Sequence, residues 1–556
     1  MATHTAVRTV YRLPTVSPTP EAMFEALDHE QLDRLGAELH HPVVLGVPAV
    51  YLTYGKEEAA DTWCAPNART TGIPVFEPVR RTGALLLLAV DGQVYAVTCG
   101  NGYRLVPDAL KDKRFGLCFA IRMIDPRHIS GAVTKALGRP RTDISLVAAG
   151  TSVPALGIRD QARVVRHLGG HLDDVPLTRS RHANGRACTA QGGVGLRLPL
   201  GIEPADLVED LRTITRVCQD DIPHPELEFV DHIVPVTDTV TRAALEAALD
   251  RLLGAPADGR ISFSVPLDLH ETYAEATAYR TCIGSTEVYL CDNFDLEYVL
   301  TRARIHRPGT RIAALRDGTV TLHRDPSPRS SVPLATTHAL DWIQADVSLG
   351  PRTYCLLDGD WYELGACYID SVRDNLQQLF TDAAVYGLPP WPEGASERAY
   401  NRAVSMARPE WLFLDGEFIN NPLKRTDRVE ICDLLTPDGA LVLVKQSGSS
   451  GSFSHLLGQA QVAVELLVNS PEARCQFVRR VARDSDGRIM LAEDFTPRRL
   501  VLAVRHKSGA TFTPDSLFAF SQITLHQTAR ELTTRGVSIE VVPVPTAAEI
   551  ARTTAA

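Results

Sequence analysis

Five times this chain sets Asp-Gly between apolar, strand-like runs: "LLLLAVDGQVYAVT", "IAALRDGTVTLH", "YCLLDGDWYEL", "WLFLDGEFI" and "DLLTPDGALVLV". Both central residues of a type I′ turn need positive φ, which Asp and Gly tolerate, so each pair predicts a tight hairpin. Much of the sheet content is therefore expected to be antiparallel. Helical periodicity fills the spaces between, in "PEAMFEALDHEQLDRLGAEL", in "TRAALEAALDRLLG" with its closing Gly254, and in "SVRDNLQQLF". The expected class is α+β or α/β, multi-domain, with hairpin-rich antiparallel sheets.

A chain of 556 residues exceeds one hydrophobic core several-fold. The Pro/Gly-rich "GLPPWPEGAS" at 387–396 reads as a linker, and "APADGR" at 255–260 as a second break. These cuts give an N-terminal α+β domain over 1–258, a middle hairpin-containing domain over 259–390 and a C-terminal domain over 391–556. The apolar run "ALLLLAV" is far shorter than the roughly 20 residues a membrane helix needs, and the polar start lacks a secretory apolar segment. The expectation is a cytoplasmic protein without a membrane partner. Eleven cysteines stand without a C-x-x-C pair, which argues against zinc ribbons and fingers. "HLGGH" at 167–171 has His-x3-His spacing, but its two glycines disfavour a helix, and it reads as a turn. "GNGYR" at 100–104 also reads as a turn, and the aromatics of "DGDWYEL" as core and rim.

The net charge of −10 is unevenly spread. Residues 401–510 hold 15 Lys/Arg against 13 Asp/Glu, leaving 42 against 54 for the rest. That balance permits a local phosphate-binding surface in the C-terminal part without demanding one.

From 397 onward the elements follow a definite order. A helix at 397–407 precedes strands at 411–419, 428–435 and 440–446, a helix at 454–468, a strand at 498–505, a helix at 515–535 and a last strand. Helix, three strands, helix, strand resembles the αβββαβ core of restriction-endonuclease-like (PD-(D/E)XK-type) nucleases. The chain as a whole resembles an uncharacterised, sporadically distributed bacterial family. That likeness rests on "ALLLLAVDGQVYAVTCGNGYRLV", "FGLCFAIRMID", "YCLLDGDWYEL", "SERAYNRA", "VEICDLLTPDGALVLVKQSGSSGSFSHLLGQAQVAVELL" and "DSLFAFSQITLHQTARELTTRGVSIEVV". It implies relatives without naming a reaction.

The nuclease-like core implies a set of roles. Its second strand ends in an aspartate, its third carries acid-x-lysine, and the next helix often presents a glutamine. Carboxylates there hold Mg²⁺, which lowers the pKa of a bound water, and the lysine orients that water. The matching positions are Asp433, Lys445 and Gln459, with Glu397 placed like an extra metal-binding acid. The acid expected at position 443 is replaced by Leu443. Glu430 and Glu465 are the candidate substitutes. Residues three apart on an extended strand point to opposite faces unless a bulge intervenes, so Glu465 is preferred over Glu430 as partner to Asp433.

Other readings of the same residues stay open. Asp433 can cap a turn, Lys445 can be a solvated strand end, and Ser454 can cap a helix after a flexible Gly/Ser loop. Alternatively Ser447, Gly448, Ser449 and Ser450 offer backbone N–H groups before a helix N-terminus, a cradle for a nucleotide or phosphate without catalysis. A third class is a scaffold that binds a protein partner or a second copy of itself. The expected function is a metal-dependent nuclease or nuclease-derived nucleic-acid-binding protein, in bacterial defence, with the non-catalytic scaffold as alternative.

Overall fold

The computed structural model describes residues 4–550 except 41–45, 61–63, 138–141, 158–162, 174, 183–187, 256–259, 267–268, 292–294, 325–332, 421–427, 448–449, 507–511 and 547–549. It is a mixed α+β protein with several antiparallel sheets. The chain divides into two compact units, one made mainly of residues 1–136 and 141–235, the other mainly of 236–326 and 334–556. Among the described residues no helix is long and apolar enough to cross a membrane.

The first unit is built on one ten-stranded antiparallel sheet. Its spatial order is Glu38–His40, Ala49–Ala60, Pro78–Val90, Gln93–Gly100, Thr5–Arg12, Leu196–Gly201, Thr189–Gly192, Arg163–Leu172, Ile124–Ala136 and Thr142–Thr151. Alternation drives the layering. Leu88, Val90, Tyr95 and Val97 join one buried cluster, while Leu85, Leu87, Val94 and Ala96 join another. "HLGGH" is not a turn but lies in the strand Arg163–Leu172, where Gly169 and Gly170 run against Ala190, Gln191 and Ile129. The glycines permit close strand contacts: a Cβ on Gly170 would lie 2.8 Å from the His128 carbonyl oxygen. The helix Phe115–Met123 reaches the sheet through Gly116, where a Cβ would sit 2.1 Å from the Gly195 carbonyl oxygen.

In the second unit, the strands Ile261–Phe263, Ile343–Leu349, Arg352–Leu357 and Asp360–Leu364 form an antiparallel sheet. Its core includes Trp342, Leu356 and Trp361. Trp361 and Tyr362 are buried, as expected of that hairpin. Of the five Asp-Gly pairs, three turn hairpins. Asp91-Gly92 and Asp358-Gly359 do so with positive φ at both residues, and Asp438-Gly439 joins two antiparallel strands. Asp317-Gly318 departs from expectation: "RIAALRD" is a helix, Arg311–Asp317, and Gly318 follows it with φ outside the left-handed region. Asp415-Gly416 makes a turn, but the strands on either side enter different sheets.

The C-terminal sheet runs Leu412–Phe413, Leu434–Leu435, Leu441–Ser447, Arg499–His506, Ser538–Pro543. Its first three strands are antiparallel neighbours and its last three are parallel. The expected strands at 411–419 and 428–435 each break in two, and their outer pieces, Phe418–Asn420 and Arg428–Glu430, pair separately. Val442, Val444, Val501 and Ala503 pack with Tyr400 and Val404 of the helix Glu397–Ala407. "GLPPWPEGAS" is packed rather than exposed as a linker: Trp391 is buried and stacks on Tyr400 at 4.1 Å and 8°. The following helix spans Ser450–Asn469, so its start lies four residues before the expected Ser454 cap.

Candidate metal and phosphate site

The helix Glu397–Ala407 starts on an N-cap bond from Ala399 N–H to the Ser396 hydroxyl. That cap sets Glu397 in the first turn. Its Oε1 accepts from the Gln446 backbone N–H at 3.0 Å, and its Oε2 takes the Lys445 ammonium at 3.0 Å. One turn along, buried Asn401 donates from Nδ2 to Asp415 at 2.9 Å. Asp415 occupies the turn after the first sheet strand. Gly416, at φ 80°, donates its N–H to Glu430 Oε1 at 2.6 Å.

The chain bends sharply between Glu430 and Leu434. Asp433 donates its N–H to Val442 at 3.0 Å while its carbonyl accepts from Leu414 at 2.8 Å. Ile431 and Cys432 are buried between. This break defeats the simple alternation that would send Glu430 and Asp433 to opposite faces. Ligand oxygens of Asp415, Glu430 and Asp433 all lie within 4.8 Å of one another, on half-buried side chains.

Electrostatics follow from that crowding. Burial pushes the Asp433 carboxyl up to about 7, helped by the negative charges of Glu430, Asp415 and Glu397 and opposed by the hydrogen bond from Val444 N–H at 2.7 Å. Glu430 is also raised, by burial first, with Asp415 adding to it and the Gly416 N–H opposing. The donor set suits a hard divalent cation. Each carboxylate has one oxygen fixed by an N–H, and no hydrogen bond among the described residues occupies the other. The buried Asn401 Oδ1 beside them likewise has no partner among the described residues.

Positive charge flanks the cluster. Arg398 lies over the Asp415-Gly416 turn, its Nη1 3.4 Å from where a Gly416 Cβ would sit. Arg505, in register with Gln446 on the neighbouring parallel strand, lies over the Trp391 ring at 5.6 Å. Its Nε and Nη1 are buried and have no hydrogen-bond partner among the described residues.

The fold thus gathers Glu397, Asp433 and Lys445. Leu443 is fully buried and pairs in register with Leu502, so an acid there would enter the core. Gln459 is half-buried and Glu465 exposed on the helix Ser450–Asn469, and neither belongs to the carboxylate cluster. Ser447 ends its strand and Ser450 opens that helix, whereas Gly448 and Ser449 lie outside the described residues. Sequence reasoning missed Asp415 and Asn401. Asp415 was concealed by the turn chemistry of Asp-Gly, and its one signal was an acid at the end of the strand-like "WLFLD".

These features define a mixed α+β protein whose C-terminal part gathers three carboxylates beside a lysine. The chain belongs to a family of unknown function, DUF6119, whose model matches residues 8–543. No curated protein matches it.

Proposed function

We propose that the C-terminal part is a metal-dependent phosphodiesterase acting on nucleic acid. The observation that carries this reading is the convergence of Asp415, Glu430 and Asp433 within 4.8 Å, next to the Lys445–Glu397 pair. The order of elements around it, three antiparallel strands, two helices and a parallel strand, is similar to a restriction-endonuclease-like core apart from the second helix, Pro471–Asp484.

Asp415, Glu430 and Asp433 would hold Mg²⁺ or Mn²⁺ through their remaining oxygens. Such a cation lowers the pKa of a bound water and offsets charge growing on a phosphate. Lys445, positioned by Glu397, supplies an ammonium to orient the attacking water or a phosphate oxygen. Arg505, held over Trp391 and in register with Gln446, adds positive charge on the strand next to that of Lys445.

The test is incubation of purified protein with single-stranded and duplex DNA and RNA in Mg²⁺, Mn²⁺ or EDTA. Cleavage is expected only with divalent metal, and Asp433→Asn, Glu430→Gln and Lys445→Met are each expected to abolish it. Salt-sensitive nucleic-acid binding without cleavage would leave a nuclease-derived binding module. No cleavage, together with no divalent ion bound in calorimetry, would overturn the metal site.

A further inference from the structure

The first unit holds a second chemical feature, formed by two helices against its ten-stranded sheet. Cys118 lies in the helix Phe115–Met123 and Cys218 in the last turn of the helix Pro204–Asp220. The Cys118 thiol meets the backbone of Cys218, its Sγ donating to the Cys218 carbonyl oxygen at 3.7 Å. Both are free and partly accessible, unlike buried Cys64, Cys188, Cys355 and Cys432.

The two sulfurs have unequal surroundings. The guanidiniums of Arg122, Arg114 and Arg12 all act on Cys118, whereas only those of Arg12 and Arg122 act on Cys218. Arg12 is paired with Asp112 and Arg114 with Asp231, which reduces their effect. Arg122 instead spans the two helices with neutral partners, donating to the Asp221 carbonyl at 2.8 Å and the Cys118 carbonyl at 2.9 Å. Its charge is therefore available to a thiolate. Cys218 sits at the C-terminal, negative end of its helix, followed by Asp220 and Asp221. Tyr95 also faces Cys218, and burial raises its phenol. The neighbouring Cys218 side chain is the first cause that lowers the Cys118 thiol, to about 6, and the same pairing raises the Cys218 thiol.

We infer that Cys118 and Cys218 form a peroxide-reactive dithiol, with Cys118 as attacking sulfur and Cys218 as resolving sulfur. The Cys118 thiolate attacks one peroxide oxygen, the O–O bond breaks, and Cys118 becomes a sulfenic acid as hydroxide leaves and takes a proton. The Cys218 sulfur then attacks the Cys118 sulfur, an S–S bond forms, and the displaced hydroxyl leaves as water with the Cys218 proton. Hydrogen peroxide is reduced to two waters, and the two thiols are oxidised to one disulfide. The product ties the helix Phe115–Met123 to the end of the helix Pro204–Asp220, partners 100 positions apart.

Full-length reduced protein treated with hydrogen peroxide and digested with trypsin tests this. The expected product is the 115–122 peptide joined to the 217–242 peptide through Cys118 and Cys218. Cys218→Ser should instead leave Cys118 as a sulfenic acid that dimedone traps, and Cys118→Ser should give neither product. Alkylation rate against pH provides the second readout, with exposed Cys99 and Cys475 as internal references. Rate at one pH is a poor guide, because nucleophilicity falls as pKa falls. The midpoint for Cys118 should lie about one pH unit or more below the references, and Arg122→Gln should move it upward. Absence of the joined peptide, or a Cys118 midpoint equal to that of Cys99 and Cys475, would overturn the inference.

Discussion

Glu397 and Lys445 stand 48 positions apart and meet at 3.0 Å, joining the first turn of a helix to the end of a parallel strand. Both are partly exposed, and exposed ion pairs contribute only about 0–1 kcal/mol. Lys445→Met and Glu397→Gln are therefore expected to leave the urea midpoint nearly unchanged while removing metal-dependent cleavage. A large loss of stability in either variant would assign the pair a structural role instead.

Asp433 makes stability pH-dependent. Its folded pKa, about 7, lies above the unfolded value near 3.9. Between about pH 4 and pH 7 the folded state keeps a proton that the unfolded chain has released, so stability falls as pH rises through that window. Asp433→Asn should flatten this slope and stabilise the metal-free protein at pH 8 by on the order of 2 kcal/mol. Parallel denaturant titrations at pH 5 and pH 8 measure the difference.

Divalent metal reverses that penalty. Mn²⁺ at a hundredfold excess over its Kd should stabilise the wild type by about 2.7 kcal/mol, with smaller gains at lower pH, where protons compete. Asp415→Asn and Glu430→Gln should lose the thermal shift, and exposed Glu465→Gln should keep it. The opposite pattern would return the role to Glu465.

Arg505 should read out as a phosphate contact. Arg505→Ala is expected to weaken nucleic-acid binding across all sequences and to reduce the slope of log K against log salt by about one. An unchanged salt slope would separate Arg505 from the bound strand.

Tyr400 and Trp391 anchor the helix that carries Glu397. Tyr400→Ala should cost about 3–5 kcal/mol through the cavity it leaves. Tyr400→Phe, which loses only the hydroxyl bond to the Pro389 carbonyl at 3.0 Å, should cost about 1 kcal/mol. Chemical denaturation of both variants provides the comparison.

Local chemistry explains which parts were legible. The Asp91-Gly92 and Asp358-Gly359 hairpins follow from residues that tolerate positive φ, whatever surrounds them. The helix Glu397–Ala407 has the expected bounds because Ser396 caps it and its apolar positions recur on one face. Asp317-Gly318 misled because Asp-Gly also closes a helix when the preceding run has helical periodicity. "HLGGH" misled because the glycines that disfavour a helix also permit close strand contacts.

The strands expected at 411–419 and 428–435 divide, and a second helix, Pro471–Asp484, follows Ser450–Asn469, but from its residues alone the chain determined the alternation of hairpins and helices, the bounds of the helix Glu397–Ala407, and the spacing that nominates Glu397, Asp433 and Lys445. These are properties of nearest neighbours and of spacing, which sequence records directly. Tertiary structure decided the rest of the cluster. Glu430 joins Asp433 only because the strand breaks at Ile431–Asp433 to bond with Leu414 and Val442. Asp415 joins them only because Asn401, 14 positions earlier, and the Gly416 N–H orient the turn. Convergence of like charges costs free energy locally, so no propensity of the segment itself encodes it; packing from distant elements holds the carboxylates together.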